Sequence, residues 1–222
     1  MTTAGLIAKK IGMTRMVDAE GQMTAVTLLQ LETQKVTKIL SEERDGYVAY
    51  QVGYLAKKEK HLSKSDTTRL RKVGVQENFT RFKEFRVDAT GDLAVGAAVE
   101  LGKFFEGVSA VDITGISKGC GFSGAHKRWN SAVGRMTHGS RFHRSPGSLG
   151  MRSTPGRVFK NRHQPGQEGN TQTTIQNLQV LDVDQANSVV AVRGSVPGHR
   201  DGFLIVKPSI KAKTSKKAAP KK

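Results

Sequence analysis

The single cysteine, Cys120, lies in a stretch that also holds four of the chain's six histidines, and such side chains could ligate a metal or form a Cys–His nucleophilic pair. The four are His126, His138, His143 and His163. Their successive spacings of 12, 5 and 20 residues match no compact zinc pattern, and residues 113–167 contain no Asp or Glu. Glycines and cations around the thiol suit an anion-binding loop at least as well as an active site. The sequence therefore predicts no metal, no cofactor and no catalytic residue.

Residues 119–124 read GCGFSG, which matches the glycine pattern of dinucleotide-binding loops and follows a predicted strand. That motif requires an apolar helix next and an acidic residue about 20 positions further on. The chain instead supplies HKRW at 126–129 and no acid before Glu168. A nucleotide site, and with it an enzyme acting on a small-molecule substrate, is therefore disfavoured.

The charge of this stretch indicates a different chemistry, because residues 113–167 carry ten cations and few large aliphatic side chains. Ordering the backbone costs about 1–2 kcal/mol per residue, so we expect the stretch to be ordered by a polyanion. Glycine lets main-chain N–H groups approach phosphates, and Arg both forks around phosphate oxygens and stacks on unpaired bases. Interleaved aromatic rings add stacking surfaces, namely Phe122, Trp129, Phe142 and Phe159. The combination favours RNA, and the alternative is a solvated basic loop without a specific partner.

The remaining charge is unevenly placed along the chain, whose 36 Lys and Arg against 19 Asp and Glu give a net charge of +17. Seven further Lys lie in residues 207–222, a low-complexity segment that we predict to be a disordered tail. Once these and the ten cations are set aside, 19 basic residues face 19 acidic ones, so the rest of the chain is neutral. No membrane-length apolar run, no secretory pattern and a single cysteine predict a cytoplasmic protein with no membrane partner.

The elements that must position the cationic stretch are mostly strands. Short apolar and β-branched runs occur at 23–31, 47–54, 82–87, 108–116, 173–183, 188–192 and 203–206. Residues 184–187 predict a hairpin turn, and one helix is predicted from an N-cap at Ser65 through Lys72, ending at Gly74. Many short strands with Gly-rich connections predict a mainly β protein with a closed or nearly closed barrel and few short helices.

The last three runs are too few to form a stable domain alone, so we expect them to complete a sheet with strands that precede the cationic stretch. The predicted organisation is a discontinuous β-barrel body of residues 1–116 and 168–206. A long, irregular finger, basic and rich in Gly, Arg and His, spans 117–167, and the Lys-rich tail spans 207–222. Folded back as a hairpin, about 50 residues at about 3.3 Å each reach up to about 80 Å, enough to penetrate a large RNA.

Several short motifs occur in order across residues 5–208. The first is KKIGMT at 9–14. In the finger they are KGCGF at 118–122, KRW at 127–129, HGS at 138–140, HR at 143–144, PGSLG at 146–150 and TPGRVFK at 154–160. Residues 194–198 and VKP at 206–208 complete the series. The motifs resemble those of the large-subunit ribosomal protein L-three family, and KKIGMT is similar to that family's N-terminal signature. Because the motifs occur in one order across the chain, together they are far more specific than any one of them.

The resemblance implies a structural protein of a bacterial-type large ribosomal subunit, with a translation-protein-like barrel near the subunit surface and a finger threaded through ribosomal RNA. It implies direct binding of large-subunit ribosomal RNA, early assembly near the final RNA domain, and large-subunit proteins fourteen and nineteen as neighbours. The part nearest the peptidyl-transferase centre would be the finger tip, Ser145, Pro146, Gly147, Ser148, Leu149, Gly150, Met151, Arg152 and Ser153. Because RNA is the catalyst there, the implied role is positioning.

The expected RNA-binding residues are Lys9, Lys10, Lys118, Lys127, Arg128, Trp129, Arg135, His138, Arg141, His143, Arg144, Arg152, Arg157, Lys160, Arg162 and His163. Two positions depart from the family pattern. Residues 151–153 read Met-Arg-Ser where some bacterial members carry a Gln that is methylated, so this modification is not expected here, and Cys120 stands where Lys is common. The alternative function is that of a general nucleic-acid-binding, chromatin-like protein, which the Lys-rich tail favours.

Overall fold

A computed structural model describes residues 5–17, 21–88, 93–99 and 104–212 of the chain. The chain divides into two compact units, which we call the body, residues 1–116 and 172–222, and the basic unit, residues 117–171. The second junction lies at 171, and not at the predicted 167, because Gly166–Glu168 pairs with Gly121–Ser123 inside the basic unit.

Eleven strands are present in the described residues. They are β1 (Leu6–Val17), β2 (Met23–Leu31), β3 (Lys35–Leu40), β4 (Ala49–Ala56), β5 (Phe79–Arg86), β6 (Ala110–Ile116), β7 (Gly121–Ser123), β8 (Gly166–Glu168), β9 (Gln172–Asp184), β10 (Val189–Arg193) and β11 (Phe203–Pro208). Six of them close an antiparallel barrel in the order β1-β11-β6-β9-β10-β2. The predicted mainly β fold with few short helices is confirmed, and the strands before and after the basic unit meet as the neighbours β6 and β9.

Strands β1 and β11 are adjacent and form a wall that carries apolar residues on both faces. Successive side chains of a strand point to opposite sides, so neighbouring apolar residues enter different cores. Leu6 on β1 and Leu204 on β11 belong to the core inside the barrel. Ile7 and Ile205, one residue along, belong to a second core outside it. One pair of adjacent strands therefore holds two cores together.

The second core is covered by a three-stranded antiparallel sheet in the order β3-β4-β5. Val36 on β3, Tyr50 and Val52 on β4 and Phe85 on β5 are buried against Ile7. The runs predicted at 47–54 and 82–87 are thus strands, but they belong to this separate sheet and not to the barrel. Runs of apolar residues predict a strand without specifying its partner.

Two buried side chains satisfy the main chain at the start of β1, before its pairing with β2 begins at Ala8. The Tyr50 hydroxyl accepts a hydrogen bond from Gly5 N at 2.9 Å and donates one to Gly5 O at 3.1 Å. The Gln34 amide does the same for Ile7, with distances of 2.9 Å to its nitrogen and 2.6 Å to its oxygen. Burial raises the pKa of the Tyr50 phenol, which keeps it a neutral donor.

Three short helical segments connect the strands of the second sheet: α1 (Glu42–Asp45), a 3-10 turn (Glu59–His61) and α2 (Lys64–Lys72). The N-cap of α2 is Ser63, not the predicted Ser65. The Ser63 hydroxyl accepts from Asp66 N at 3.2 Å and donates to the Asp66 carboxylate at 2.8 Å, a reciprocal cap that Ser65 lacks an acid to form. Gly74, with a φ of +81°, follows the helix as predicted.

The predicted turn between β9 and β10 closes through a single side chain. Asp184 accepts hydrogen bonds from Ala186 N at 3.0 Å and from Asn187 N at 3.2 Å. The Asn187 side-chain amide adds a third bond at 2.7 Å, and these contacts lower the pKa of Asp184. Asp and Asn therefore fix this hairpin by the local mechanism expected of them.

The predicted tail begins too early, because Lys207 and Pro208 belong to β11 and pair with Asp112 and Val111 of β6. Residues 210–212 are helical, and a carboxylate oxygen of Asp112 accepts a hydrogen bond from Ile210 N at 3.4 Å. The rest of the tail, residues 213–222, lies outside the described residues.

The replacement Tyr50→Phe removes both hydrogen bonds to Gly5 and leaves its buried N–H and C=O without the partner they have now. We expect a loss of about 1–3 kcal/mol in the free energy of unfolding, measured by urea denaturation of the full chain. Tyr47→Phe is the matched control, because Tyr47 makes its bond to Glu84 at the surface. Equal stability of the two variants would contradict this account of the β1 terminus.

Candidate nucleic-acid interface

The basic unit begins and ends on a two-stranded ribbon. Ser117 N donates to Thr171 O at 2.9 Å, Cys120 N donates to Glu168 O at 2.8 Å, and β7 pairs with β8 in antiparallel register. Gly169 has a φ of +72°, and a Cβ there would collide with the carbonyl oxygen of Lys118. The close approach of the two chain ends therefore depends on glycine at this position.

Beyond the ribbon, the helix α3 (Ala125–Trp129) places two side chains on one carbonyl oxygen. Arg128 Nη1 donates to Gln164 O at 3.0 Å, and Trp129 Nε1 donates to the same oxygen at 2.9 Å. The Trp129 ring stacks on His163 with centroids 4.4 Å apart and planes inclined by 8°. We call this group of four residues the clasp, and it joins the two ends of the segment 130–162.

Gly166 gives the clasp its space. A Cβ at this position would lie 2.5 Å from Arg128 Nη1, inside the distance that any real contact allows. The clasp acceptor is a main-chain oxygen, so the side chain of Gln164 gave no signal from which the contact could have been predicted. The signals that were present are the neighbouring glycines at 166 and 169 and the only Trp of the chain.

Within the segment that the clasp encloses, a second turn is held by main-chain contacts of two predicted site residues. Gly134 N donates to His143 O at 3.0 Å, and His143 Nδ1 lies 3.0 Å from Arg135 O. A Cβ on Gly134 would collide with the carbonyl oxygen of Phe142. His143 is thus half-buried and oriented by the main chain, whereas Arg141 and Arg144 on either side of it are exposed.

The predicted tip, residues 145–153, carries few internal contacts. Ser148 Oγ donates to Gly150 O at 3.2 Å, and Gly147 turns the chain with a φ of +86°. All of its residues except Gly147 are exposed, including Leu149 and, at 74%, Met151. The backbone here is shaped by glycine turns and presents its side chains outward.

The basic unit has no apolar core of its own. Of residues 117–171, all of which the structure describes, only Ser123 and Ala125 are buried. Phe122 on β7 is 79% exposed, and Phe142, Phe159 and Trp129 each expose two-fifths of their surface or more. A partner with flat ring systems could cover these exposed rings.

The unit's charge has almost no internal compensation. Glu168 is its only carboxylate, and no ion pair occurs among residues 117–171, whereas the body contains several such pairs. All ten cations of the segment lie here: Lys118, Lys127, Arg128, Arg135, Arg141, Arg144, Arg152, Arg157, Lys160 and Arg162. Two of them lie over aromatic rings, Arg128 over Trp129 at 5.0 Å and Arg157 over Phe159 at 5.3 Å.

Lys9 and Lys10, also predicted to bind RNA, belong to β1 of the body and are engaged there. Lys9 forms ion pairs with Asp201 at 3.3 Å and Glu32 at 3.8 Å. The Lys10 ammonium donates to the carbonyl oxygens of Val196 at 2.9 Å and Gly198 at 3.2 Å. Both cations therefore support the loop between β10 and β11, and their contact with RNA stays a prediction.

The histidines and the GCGFSG segment are the residues that a metal site or a nucleotide site would use. In the described residues, no three His, Cys, Asp or Glu side chains come close enough to hold a metal ion. His126 Nδ1 is 2.8 Å from Ser131 O, so this histidine is oriented by the main chain. The GCGFSG segment is followed by a helix of five residues whose sequence is AHKRW, and not by the apolar helix of a dinucleotide-binding motif.

No helix in the described part of the chain is both long and apolar enough to span a membrane.

A family model described as ribosomal protein L3 matches residues 6–189 of the chain. The chain belongs to the ribosomal protein L3 family. The match includes the whole basic unit and most of the barrel strands, so membership in the L3 family rests on both units.

Curated relatives agree over nearly the whole chain, and each is called large ribosomal subunit protein uL3. The relative from Alkaliphilus metalliredigens is 42% identical over 207 residues, which is 93% of this chain and 98% of the relative. Those from Pelobacter propionicus and Alteromonas mediterranea are 43% and 41% identical over 208 and 211 residues, covering 94% of this chain and 99% of each relative. The resemblance found in the motifs is therefore confirmed.

The replacement His163→Ala removes the ring stacked on Trp129, and such aromatic contacts contribute about 0.5–1.5 kcal/mol. Because Trp129 is the only Trp, its fluorescence in the free full-length protein reports on the clasp alone. We expect the emission to shift to longer wavelength as the indole gains water contact, while His138→Ala leaves it unchanged. Identical spectra for the two variants would show that the clasp is not formed without a partner.

Proposed function

We propose that this protein is a structural constituent of the large ribosomal subunit that binds large-subunit ribosomal RNA directly through its basic unit. The observation that carries the proposal is the coexistence, in one coreless unit, of ten cations that have no ion-pair partner and several exposed aromatic rings. Phosphates neutralise such charge, and unpaired bases stack on such rings. Membership in the L3 family and the names of the relatives support ribosomal RNA as the source of both groups.

Each residue class has a distinct role in this proposal. Arg and Lys bind phosphates, glycines bring main-chain N–H groups close to the RNA, and the exposed rings stack on bases. The body anchors the protein, and the basic unit is the finger that RNA orders. This mechanism is one of positioning and needs no catalytic group.

The finer proposals follow the family resemblance. The protein joins the subunit early in assembly, near the final domain of its RNA, and residues 145–153 approach the peptidyl-transferase centre. Large-subunit proteins fourteen and nineteen are its proposed neighbours, and the cytoplasmic ribosome is its proposed location. The exposed, glycine-shaped backbone of 145–153 supports such a role, since every residue in it that has a side chain is exposed.

Removal of one exposed cation tests the electrostatic part of the proposal. For binding to large-subunit RNA, Arg144→Ala should lower the slope of log affinity against log salt by about 0.7–0.9, the value for one phosphate contact. It should leave the urea midpoint unchanged, because Arg144 makes no ion pair in the basic unit. The control Arg44→Ala removes an exposed Arg that lies among acidic residues of α1 and should leave the slope unchanged. Equal slopes for both variants would contradict binding through the basic unit.

Sedimentation of the cellular pool on a sucrose gradient tests the function as a whole. A constituent of the subunit should occur throughout the large-subunit and whole-ribosome fractions in constant ratio to the RNA. Recovery with the nucleoid, together with equal affinity for duplex DNA and ribosomal RNA at matched salt, would instead support the chromatin-like alternative.

A further inference from the structure

A groove of about 210 Å³ opens in the body between the three-stranded sheet and the outer face of the β1–β11 wall. Tyr54 on β4 and Arg81 and Lys83 on β5 line one side. Phe203 and Ile205 on β11 line the other side. The groove is smaller than the roughly 300–1,000 Å³ of drug-sized pockets, and its size suits one planar ring system.

The strand register explains why the second core opens at this point. Tyr50 pairs with Phe85 in the β4–β5 ladder, and both are buried. The next positions on the same face of the edge strand β5 hold Lys83, opposite Val52, and Arg81, opposite Tyr54. Cations stand where apolar side chains would have continued the core, so the two sheets cannot close over a dry interface there.

The two cations are not neutralised within the described part of the chain. In the described residues, no ion pair is formed by Arg81 or Lys83. Glu84, the acid that follows Lys83, is on the opposite face of β5, where it binds Tyr47 and Gln51. The Arg81 guanidinium lies 5.7 Å from the centre of the Phe203 ring. The groove therefore places two available positive charges beside an aromatic floor.

Polar groups complete the far rim. The Gln172 side chain at the start of β9 is exposed and offers both an amide donor and an amide acceptor to a molecule in the groove. Phe203 and Tyr54 meet edge to face, with centroids 5.3 Å apart, and Phe203 is only half-buried, so part of its ring surface is accessible from the groove. Ile116, at the end of β6, is exposed beside them.

We infer that this groove binds a single unpaired nucleotide of RNA, with its base on Phe203 and its phosphate on Arg81 and Lys83. The inference rests on the proposed function and adds to it a contact in the body, outside the basic unit. An aromatic floor, an amide at the rim and two cations match a base, its polar edge and its phosphate. An acidic peptide would use the cations but would leave the aromatic floor uncovered.

Methyl NMR of the full chain, with adenosine 5′-monophosphate as the probe, tests the inference. The probe should shift the methyl resonances of Ile7, Ile116 and Ile205 in the groove and leave that of Ile113, inside the barrel, unchanged. Adenosine and inorganic phosphate should each bind more weakly than the nucleotide. Combining Arg81→Gln with Lys83→Gln should weaken nucleotide binding about tenfold, because charge-assisted hydrogen bonds to the phosphate are lost.

The control combines Lys57→Gln with Lys60→Gln, which removes the same charge from exposed positions outside the groove and should leave binding there unchanged. The absence of shifts at the groove methyls would overturn the inference, as would larger shifts with a polyglutamate peptide. Ultraviolet crosslinking of intact large-subunit particles provides a second measurement without any variant and should place a nucleotide adduct on Tyr54 or Phe203. If the chain sediments with the large subunit but shows neither shifts nor adduct, this inference fails while the proposed function stands.

Discussion

The organisation of this chain depends on the mutual repulsion of ten cations in the basic unit, which contains a single carboxylate. A segment with such charge and only two buried residues cannot fold as ordinary globular units do, by excluding water from a core. Its shape is set instead by glycines, by hydrogen bonds to main-chain oxygens and by stacked rings. Charge of one sign also makes the unit receptive to a polyanion along its whole length.

The body, in contrast, is held by buried apolar cores, although the basic unit interrupts its chain. The strands on either side of the interruption are paired neighbours in the barrel, so the excursion leaves and returns at adjacent points. Alternation along β1 and β11 then joins the barrel to the second sheet through one wall. A positive charge alone does not identify an RNA contact in the body. Lys9 is paired with acids there, and Lys10 donates to carbonyl oxygens.

Much of the fold could be predicted from local patterns. The run at 23–31 has the bounds of β2, because polar residues flank it on both sides. Strand β1 was not predicted, since Lys9, Lys10 and Gly12 interrupt its apolar pattern. The division into a barrel and a separate sheet could not be predicted either, because a strand's sequence records which faces are buried and not which strand lies beside it.

The candidate site was predicted from the types of its residues and the order of its motifs. The family comparison confirms the family to which those motifs point, while the RNA contacts of the individual residues stay predictions. Its geometry was less accessible. The contacts of His143 and Arg128 are made to main-chain carbonyl oxygens. Because every residue has such an oxygen, the sequence does not indicate which one is the partner. The same holds for the groove beside β5, where the meaning of Arg81 and Lys83 depends on which face of an edge strand they occupy.

The clasp also affects the thermodynamics of assembly. Bringing together the two ends of a flexible loop as long as 130–162 costs about 3 kcal/mol of free energy, because the loop loses conformational entropy. The bonds from Arg128 and Trp129 to Gln164 O close this loop within the protein itself. A binding partner then meets a loop whose ends are already joined. Its affinity is set in part by two hydrogen bonds to a single oxygen atom, neither of which is made to the partner.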